Sequence, residues 1–302
     1  MKFLLSKIIL IYCICPISLS ADAFSNSIGG ASVAYNGDIN GDKYNPALVT
    51  FDQTLLSLSN SFLPLDRYII SGFASKSISS RASISMYYSE NGTNDIQGYD
   101  SMNNFSNIIE SKEQMGALSF SSKISNLFSI GISIKGYRSN IDNQIGSGIG
   151  FDFGLFYLKK KYGIGLLVSD CFAKYTWRIN SSSDMVSSYD EKLSNNIVFG
   201  GHYTFKKLTY LAQYDISSQF DYGIDDCLRI GIIWDLSDIL NIRFGLSSIN
   251  KFKYNERVLK ISNFTPSCGT TFKYKSILLA TSFSYGQRSE GISSSITIGL
   301  VK

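Results

Sequence analysis

The stretch "LRIGIIWDLSDILNIRFGLSS", residues 228–248, reads as two strands about a tight link. In its first half Leu228, Ile230, Ile232 and Trp234 fall on one face, with Arg229, Gly231 and Asp235 on the other. In its second half Leu240, Ile242, Phe244 and Leu246 oppose Asn241, Arg243, Gly245 and Ser247. A side-chain period of two sends successive residues to opposite faces, so each half is a strand with one apolar and one polar face. The same alternation sets Phe128, Ile130, Ile132 and Ile134 against Ser129, Gly131, Ser133 and Lys135. It returns near the end, with Ile296, Ile298 and Leu300 opposite Ser295, Thr297 and Gly299. The chain is therefore all-β.

The connections decide which all-β architecture this is. From residue 54 onward the pattern predicts roughly fourteen strands, an even number as in outer-membrane barrels. Tight links fall at 77–80, 124–126, 159–161, 206–207, 236–239 and Lys275. Longer ones fall at 90–113, 140–147, 175–193, 217–226, 249–260 and 286–291, and only 63–66 breaks the alternation. A soluble sandwich has no reason to sort loop lengths by end, whereas a transmembrane antiparallel β-barrel has short periplasmic turns and long outer loops. Closure is also required physically, because hydrocarbon satisfies no free sheet edge. Tyr87, Tyr88, Tyr157, Tyr162, Tyr203, Phe205, Tyr214, Tyr274 and Tyr285 lie near strand ends, as interfacial girdles require.

Composition agrees. Charged residues make up 17% of the 302 positions, against roughly a quarter in soluble domains, while aromatics reach 14%. A net charge of +4 with no basic run beyond Lys159-Lys160-Lys161 gives no reason to expect a nucleic-acid partner. The opening "MKFLLSKIILIYCICPISLSADA" has a basic start, an apolar run and a small-x-small site at Ala21-Asp22-Ala23, and reads as a secretory signal over residues 1–23. A cut after Ser20 is an alternative. Tyr12 and Ile14 precede Cys13 and Cys15 where lipoprotein processing wants a small residue, so no lipid anchor is expected. Cys171, Cys227 and Cys268 form no disulfide framework, and with His202 the single histidine, no metal site or cofactor is expected. Nor is an oriented nucleophile and base legible, so the chain reads as a non-enzyme.

Residues 24–52 precede the first strand and have neither period. Their glycines permit a compact irregular path, and Asn45-Pro46 marks the approach to the barrel of residues 53–302. Gly29-Gly30-Ala31, followed by Asn36-Gly37-Asp38 and Tyr44-Asn45-Pro46-Ala47-Leu48, resembles the start of the FadL family of outer-membrane proteins. That resemblance implies a barrel blocked by an N-terminal hatch over residues 24–52. It also implies uptake of long-chain fatty acids or other hydrophobic compounds across a Gram-negative outer membrane, with membrane lipids and the ligand as partners. The hatch residues it marks are Gly29, Gly30, Ala31, Asp38, Tyr44, Asn45, Pro46 and Ala47. The alternation adds lumen-facing charges at Lys123, Lys135, Asp152, Asp215, Arg229, Asp235 and Arg243. Two alternatives stay open. The same spacing resembles the PorV/PorQ group, which implies secretion-machinery partners of the type IX system. An adhesive or structural barrel would instead work through outer loops such as 90–113.

Overall fold

The computed structural model describes residues 22–302, apart from 38–39, 49–52, 100–103, 143, 181–185, 220–222, 255–256, 260–262 and 287–290. Two short helices, α1 (Ala23–Ser27) and α2 (Gly41–Tyr44), precede the sheet. The first strands are β1 (Thr54–Leu63), β2 (Arg67–Ser79), β3 (Ala82–Tyr99), β4 (Phe105–Lys123), β5 (Phe128–Ile141), β6 (Gln144–Lys159), β7 (Tyr162–Asn180) and β8 (Val186–Lys192). There follow β9 (Asn195–Phe205), β10 (Leu208–Gln219), β11 (Gly223–Ser237), β12 (Leu240–Tyr254), β13 (Arg257–Leu259), β14 (Asn263–Tyr274), β15 (Ile277–Gly286) and β16 (Gly291–Val301).

Each wall strand pairs antiparallel with its neighbours, and the pairing of β1 with β16 and of β11 with β12 completes the ring. Two elements are not separate staves. Along β7, residues 162–169 pair with β9 and 174–180 pair with β8, so β8 continues β9 past residues 193–194. Along β12, β13 continues β14 in the same way. Sixteen strands less these two extensions leave a closed barrel of fourteen.

The faces follow the alternation. Outward side chains include Leu58, Leu118, Phe128, Ile134, Phe153, Phe199, Phe244, Phe283 and Ile298, all exposed. In water they would form an apolar surface far beyond the few hundred Å2 that monomers tolerate, so this band faces lipid. Inward positions are small and polar: Ser57, Ser59, Ser61, Ser71, Ser85, Ser121, Ser133 and Thr297 are buried. Of the girdle candidates, Tyr88, Tyr162, Tyr203, Phe205, Tyr214, Tyr274 and Tyr285 are exposed, whereas Tyr87 is 6% exposed and packs inside with Leu55, Phe73 and Ala117. Adjacent residues of one strand cannot share a face, and Tyr88 takes the outer one.

Both ends of the sheet, Thr54 and Lys302, hydrogen-bond each other at the end that carries the tight turns 80–81, 160–161, 206–207, 238–239 and 275–276. At the other end the expected long loops are largely strand. β3 and β4 remain paired out to Tyr99 and Phe105, and β5 and β6 out to Ile141 and Gln144. The polar stretches 90–113 and 140–147 prolong the hairpins beyond the apolar band because continued pairing satisfies their backbone groups. The short link 63–66 turns with positive φ at Leu65 and Asp66.

One irregularity matters for the interior. Phe153 pairs with Val168 and Ile149 with Lys174, so six steps on β7 (168 to 174) face four on β6 (153 to 149). The two extra residues enter at two bulges, one on either side of the Phe151–Cys171 pair, with φ of 60° at Asp170 and 59° at Phe172. Asp170 thereby leaves the outward series and turns inward, where its Oδ1 accepts from Lys135 Nζ at 3.0 Å and from the Tyr137 hydroxyl.

Candidate functional site

Residues 22–37 and 40–48 lie against the inner wall. Asp22 caps α1: its Oδ1 accepts from Phe24 N at 3.0 Å and its Oδ2 from Ser25 N at 3.4 Å. The same carboxylate accepts from Thr297 on β16 at 3.1 Å and from the Tyr44 hydroxyl at 3.2 Å, while Ala23 N donates to Thr297 Oγ1 at 2.9 Å. Asn26 Nδ2 reaches Ser295 at 2.8 Å. Asp22 and Ala23, the last two residues of the expected 1–23 signal, are thus described and fully buried; residues 1–21 lie outside the described residues.

From α1 the path turns through Gly29 and Gly30, whose φ values of 66° and 82° favour glycine. Gly29 N donates to Ser267 of β14 at 3.1 Å, and its carbonyl accepts from Arg229 Nη1 of β11 at 3.2 Å. Arg229 is itself salt-bridged to Asp215 of β10. Arg243 of β12 is fully buried, stands 3.8 Å from the Phe24 ring centroid and donates to Ser27 Oγ at 3.0 Å. Phe24 in turn stacks on Tyr35 at 5.6 Å, and Tyr35 meets His202 edge-on at 5.7 Å. Val33 N donates to Gln213 Oε1 at 2.9 Å, and His202 Nδ1 contacts the Ala34 carbonyl at 2.6 Å. His202 sits here as a clamp on the segment's backbone.

The far end is anchored by Asn45, which is fully buried. Its Nδ2 donates to the carbonyls of Val33, Leu155 and Leu166 at 3.0, 3.2 and 3.4 Å, and its Oδ1 accepts from Ala47 N at 3.0 Å. Ser129 of β5 donates to the Ala47 carbonyl at 2.8 Å, and Ser57 of β1 to Asn40. Val33, Ala34, Ala47 and Leu48 complete an apolar cluster with Phe156, Leu167 and Val198 of the wall.

The seat is a girdle of inward glycines. Gly131 and Gly154 pair across β5 and β6, Gly165 and Gly200 across β7 and β9, and Gly231 and Gly245 across β11 and β12. A Cβ on Gly245 would stand 2.0 Å from Gly29 N, and one on Gly131 2.2 Å from the Pro46 carbonyl oxygen. Gly154 faces Asn45 Oδ1, and Gly165 the Val33 carbonyl, as closely. Glycine inside a strand marks a close backbone approach, and here the approaching backbone is the N-terminal segment. The segment is no strand of the sheet. The hydrogen bonds described above between it and the wall each use a side chain.

Of the residues marked by the sequence, Gly29, Gly30, Ala31, Tyr44, Asn45, Pro46 and Ala47 lie in this contact zone, and Asp38 lies outside the described residues. Arg229 and Arg243 hold the segment. Lys135 and Asp152 belong to a separate cluster, at 2.7 Å from each other and joined to Asp170. Asp235 lies at the turn end and lines the same cavity as Phe24. The alternation could not supply Asp170, because the bulge reverses its side, nor Asp22, which reads as part of a signal. The glycine girdle had a sequence signal, glycine recurring on the polar face at mid-strand.

No protein-family model and no curated protein sequence matches the chain. Solved structures do. The toluene transporter TodX of Pseudomonas putida superposes with a TM-score of 0.66 at 13% identity, covering 92% of this chain and 96% of that one. The toluene transporter TbuX of Ralstonia pickettii gives 0.67 at 11% identity, covering 91% and 97%. A FadL homologue of Pseudomonas aeruginosa gives 0.62 at 12% identity, covering 91% and 95%. At such identities the likeness is one of fold, and the chain has the fold of the FadL- and TodX-type β-barrels.

Proposed function

We propose that the protein is an outer-membrane channel for hydrophobic or amphipathic small molecules, with residues 22–48 as its hatch and residues 1–21 part of an export signal. The observation that carries this reading is the seat: a closed barrel whose lumen is crossed by a segment held through side chains on a ring of glycines. Each such hydrogen bond contributes about 0.5–1.5 kcal/mol net, so the segment can shift without breaking a rung of the sheet. The neighbours of like fold are described as toluene transporters and monoaromatic hydrocarbon channels, which supports an apolar substrate. A ligand opens such a hatch only by binding the open state better than the closed one. Long-chain fatty acids belong to the substrate range proposed, together with single-ring hydrocarbons.

Planar-bilayer conductance of the intact protein and of a variant lacking residues 24–44 tests this. A closed intact barrel that conducts after the deletion is expected. Equal steady conductance in both would refute the hatch, and silence in both, with a co-purifying protein partner, would turn the assignment to secretion.

A further inference from the structure

The outward face of β5–β8 changes character at one height. A strand rises about 3.3 Å per residue and tilts by about 40° in such a barrel, so each residue gains about 2.5 Å along the membrane normal. On β5 ten steps lead from Phe128, an exposed ring at the turn end, to Arg138, a climb of about 25 Å and the height of a barrel's apolar band. On β7 Tyr162 and Lys174 are twelve residues apart, and the two extra residues at the bulges reduce this to the same ten steps. The registers carry this level across the sheet: Arg138 pairs with Ser147, Ser147 with Thr176 and Thr176 with Asp190. At and beside it Arg138, Lys174, Arg178 and Lys192 are exposed, and Asp190 is the one carboxylate among the described outward residues of these four strands there. Asp190 pairs with Lys174 at 2.6 Å. Lys174 still stands directly opposite Lys192, where like charges destabilise a sheet. Arg138 and Arg178 make no salt bridge among the described residues. Four cations against one anion call for an anion from outside the chain.

We propose that this belt binds the phosphate groups of a phosphorylated glycolipid in the outer leaflet. The inference rests on the outer-membrane part of the reading above and is independent of the hatch. The belt lies opposite the tight-turn end, which is the periplasmic end of such barrels. Below it Ile134, Ile149 and Phe153 are exposed and meet acyl chains, so the cations stand at the level of the headgroups. The planar fork of arginine matches two phosphate oxygens at once. Arg138 and Arg178 are two strands and two residues apart in register, so their Cα atoms stand about 12 Å from each other. Their long side chains can close on one headgroup that carries two phosphates. A soluble anion meets the same charges but gains nothing from the apolar band below, so the site favours a lipid.

Native mass spectrometry of the full protein in detergent, titrated with bisphosphorylated lipid A and with the same lipid stripped of both phosphates, tests the belt. The phosphorylated lipid is expected to bind about ten- to a hundredfold more tightly, the range of one hydrogen bond to a charged group. Arg138→Gln combined with Arg178→Gln should remove most of that preference without lowering Tm, because both side chains are exposed and make no salt bridge. Lys159→Gln combined with Lys161→Gln, an equal loss of charge at the turn end, should leave it intact. Absence of a phosphate preference, an equal loss in both double variants, or displacement of the lipid by millimolar inorganic phosphate would each overturn the assignment. Ethylbenzene flux into vesicles, measured on the same preparations, separates the two readings. Flux without a phosphate preference overturns the belt alone, and a phosphate preference without flux overturns the channel alone.

Discussion

The two ends of the N-terminal segment both pack into apolar clusters of the wall but differ in their polar anchors and in what borders them. Around Asn45, an amide buried in the lumen ties three carbonyls together, and Ala47 and Leu48 join an apolar cluster with Phe156, Leu167 and Val198. Around α1 hydrogen bonds join Asp22 to Thr297, Asn26 to Ser295, Arg229 to the Gly29 carbonyl and Arg243 to Ser27, beside a second apolar cluster in which Phe24, Ile28 and Ala31 meet Leu211 and Ile233. The α1 end also borders a cavity. Dry packing with multiply shared hydrogen bonds resists separation, whereas polar contacts beside a cavity trade readily for water or ligand. On the hatch reading proposed above, the cavity beside α1 makes that end the moving part and the Asn45 end the hinge.

The strongest attack on that contrast is Asn45→Ala. It leaves buried carbonyls and the Ala47 amide without partners, so a loss of roughly 2–4 kcal/mol in urea unfolding is expected, together with a conducting barrel. An unchanged unfolding midpoint would show that Asn45 is no hinge. Gly245→Val attacks the other end, because its Cβ would overlap Gly29 N. Overpacking of about 1–3 kcal/mol should displace α1 rather than the sheet, raising conductance with far-UV circular dichroism intact. Loss of the β signal would instead place the strain in the wall. The mildest test is Arg243→Met, which removes the contact with Phe24 and the bond to Ser27 but also removes a buried charge. These effects oppose, so a loss of about 1 kcal/mol is expected, with more frequent channel openings. A larger loss than that of Asn45→Ala would reverse the assignment of hinge and moving part.

The interior of β5–β7 offers a further contrast. Lys135, Asp152 and Asp170 pair with one another on the wall and reach no residue of the segment in any bond described above. Arg229 and Arg243 reach across to it. Lumen charges that look equivalent along the chain thus divide into wall braces and anchors of the N-terminal segment. Sequence position does not distinguish them, because the distinction lies in what stands opposite.

The sequence by itself determined the strands, their two faces, the barrel and the nonrepetitive start with its Gly-Gly-Ala and Asn-Pro-Ala marks. Those features rest on local rules: a period of two, turn chemistry and the fixed backbone angle of proline. Only the tertiary structure decided that Tyr87 points inward, that a bulge swings Asp170 into the lumen, and that β8 and β13 continue other strands. It also decided that glycines on separate strands meet one short segment. The reason is physical. Alternation sets the face of a side chain within one strand, but its height and its partner across the lumen follow from registers accumulated around a closed, tilted sheet.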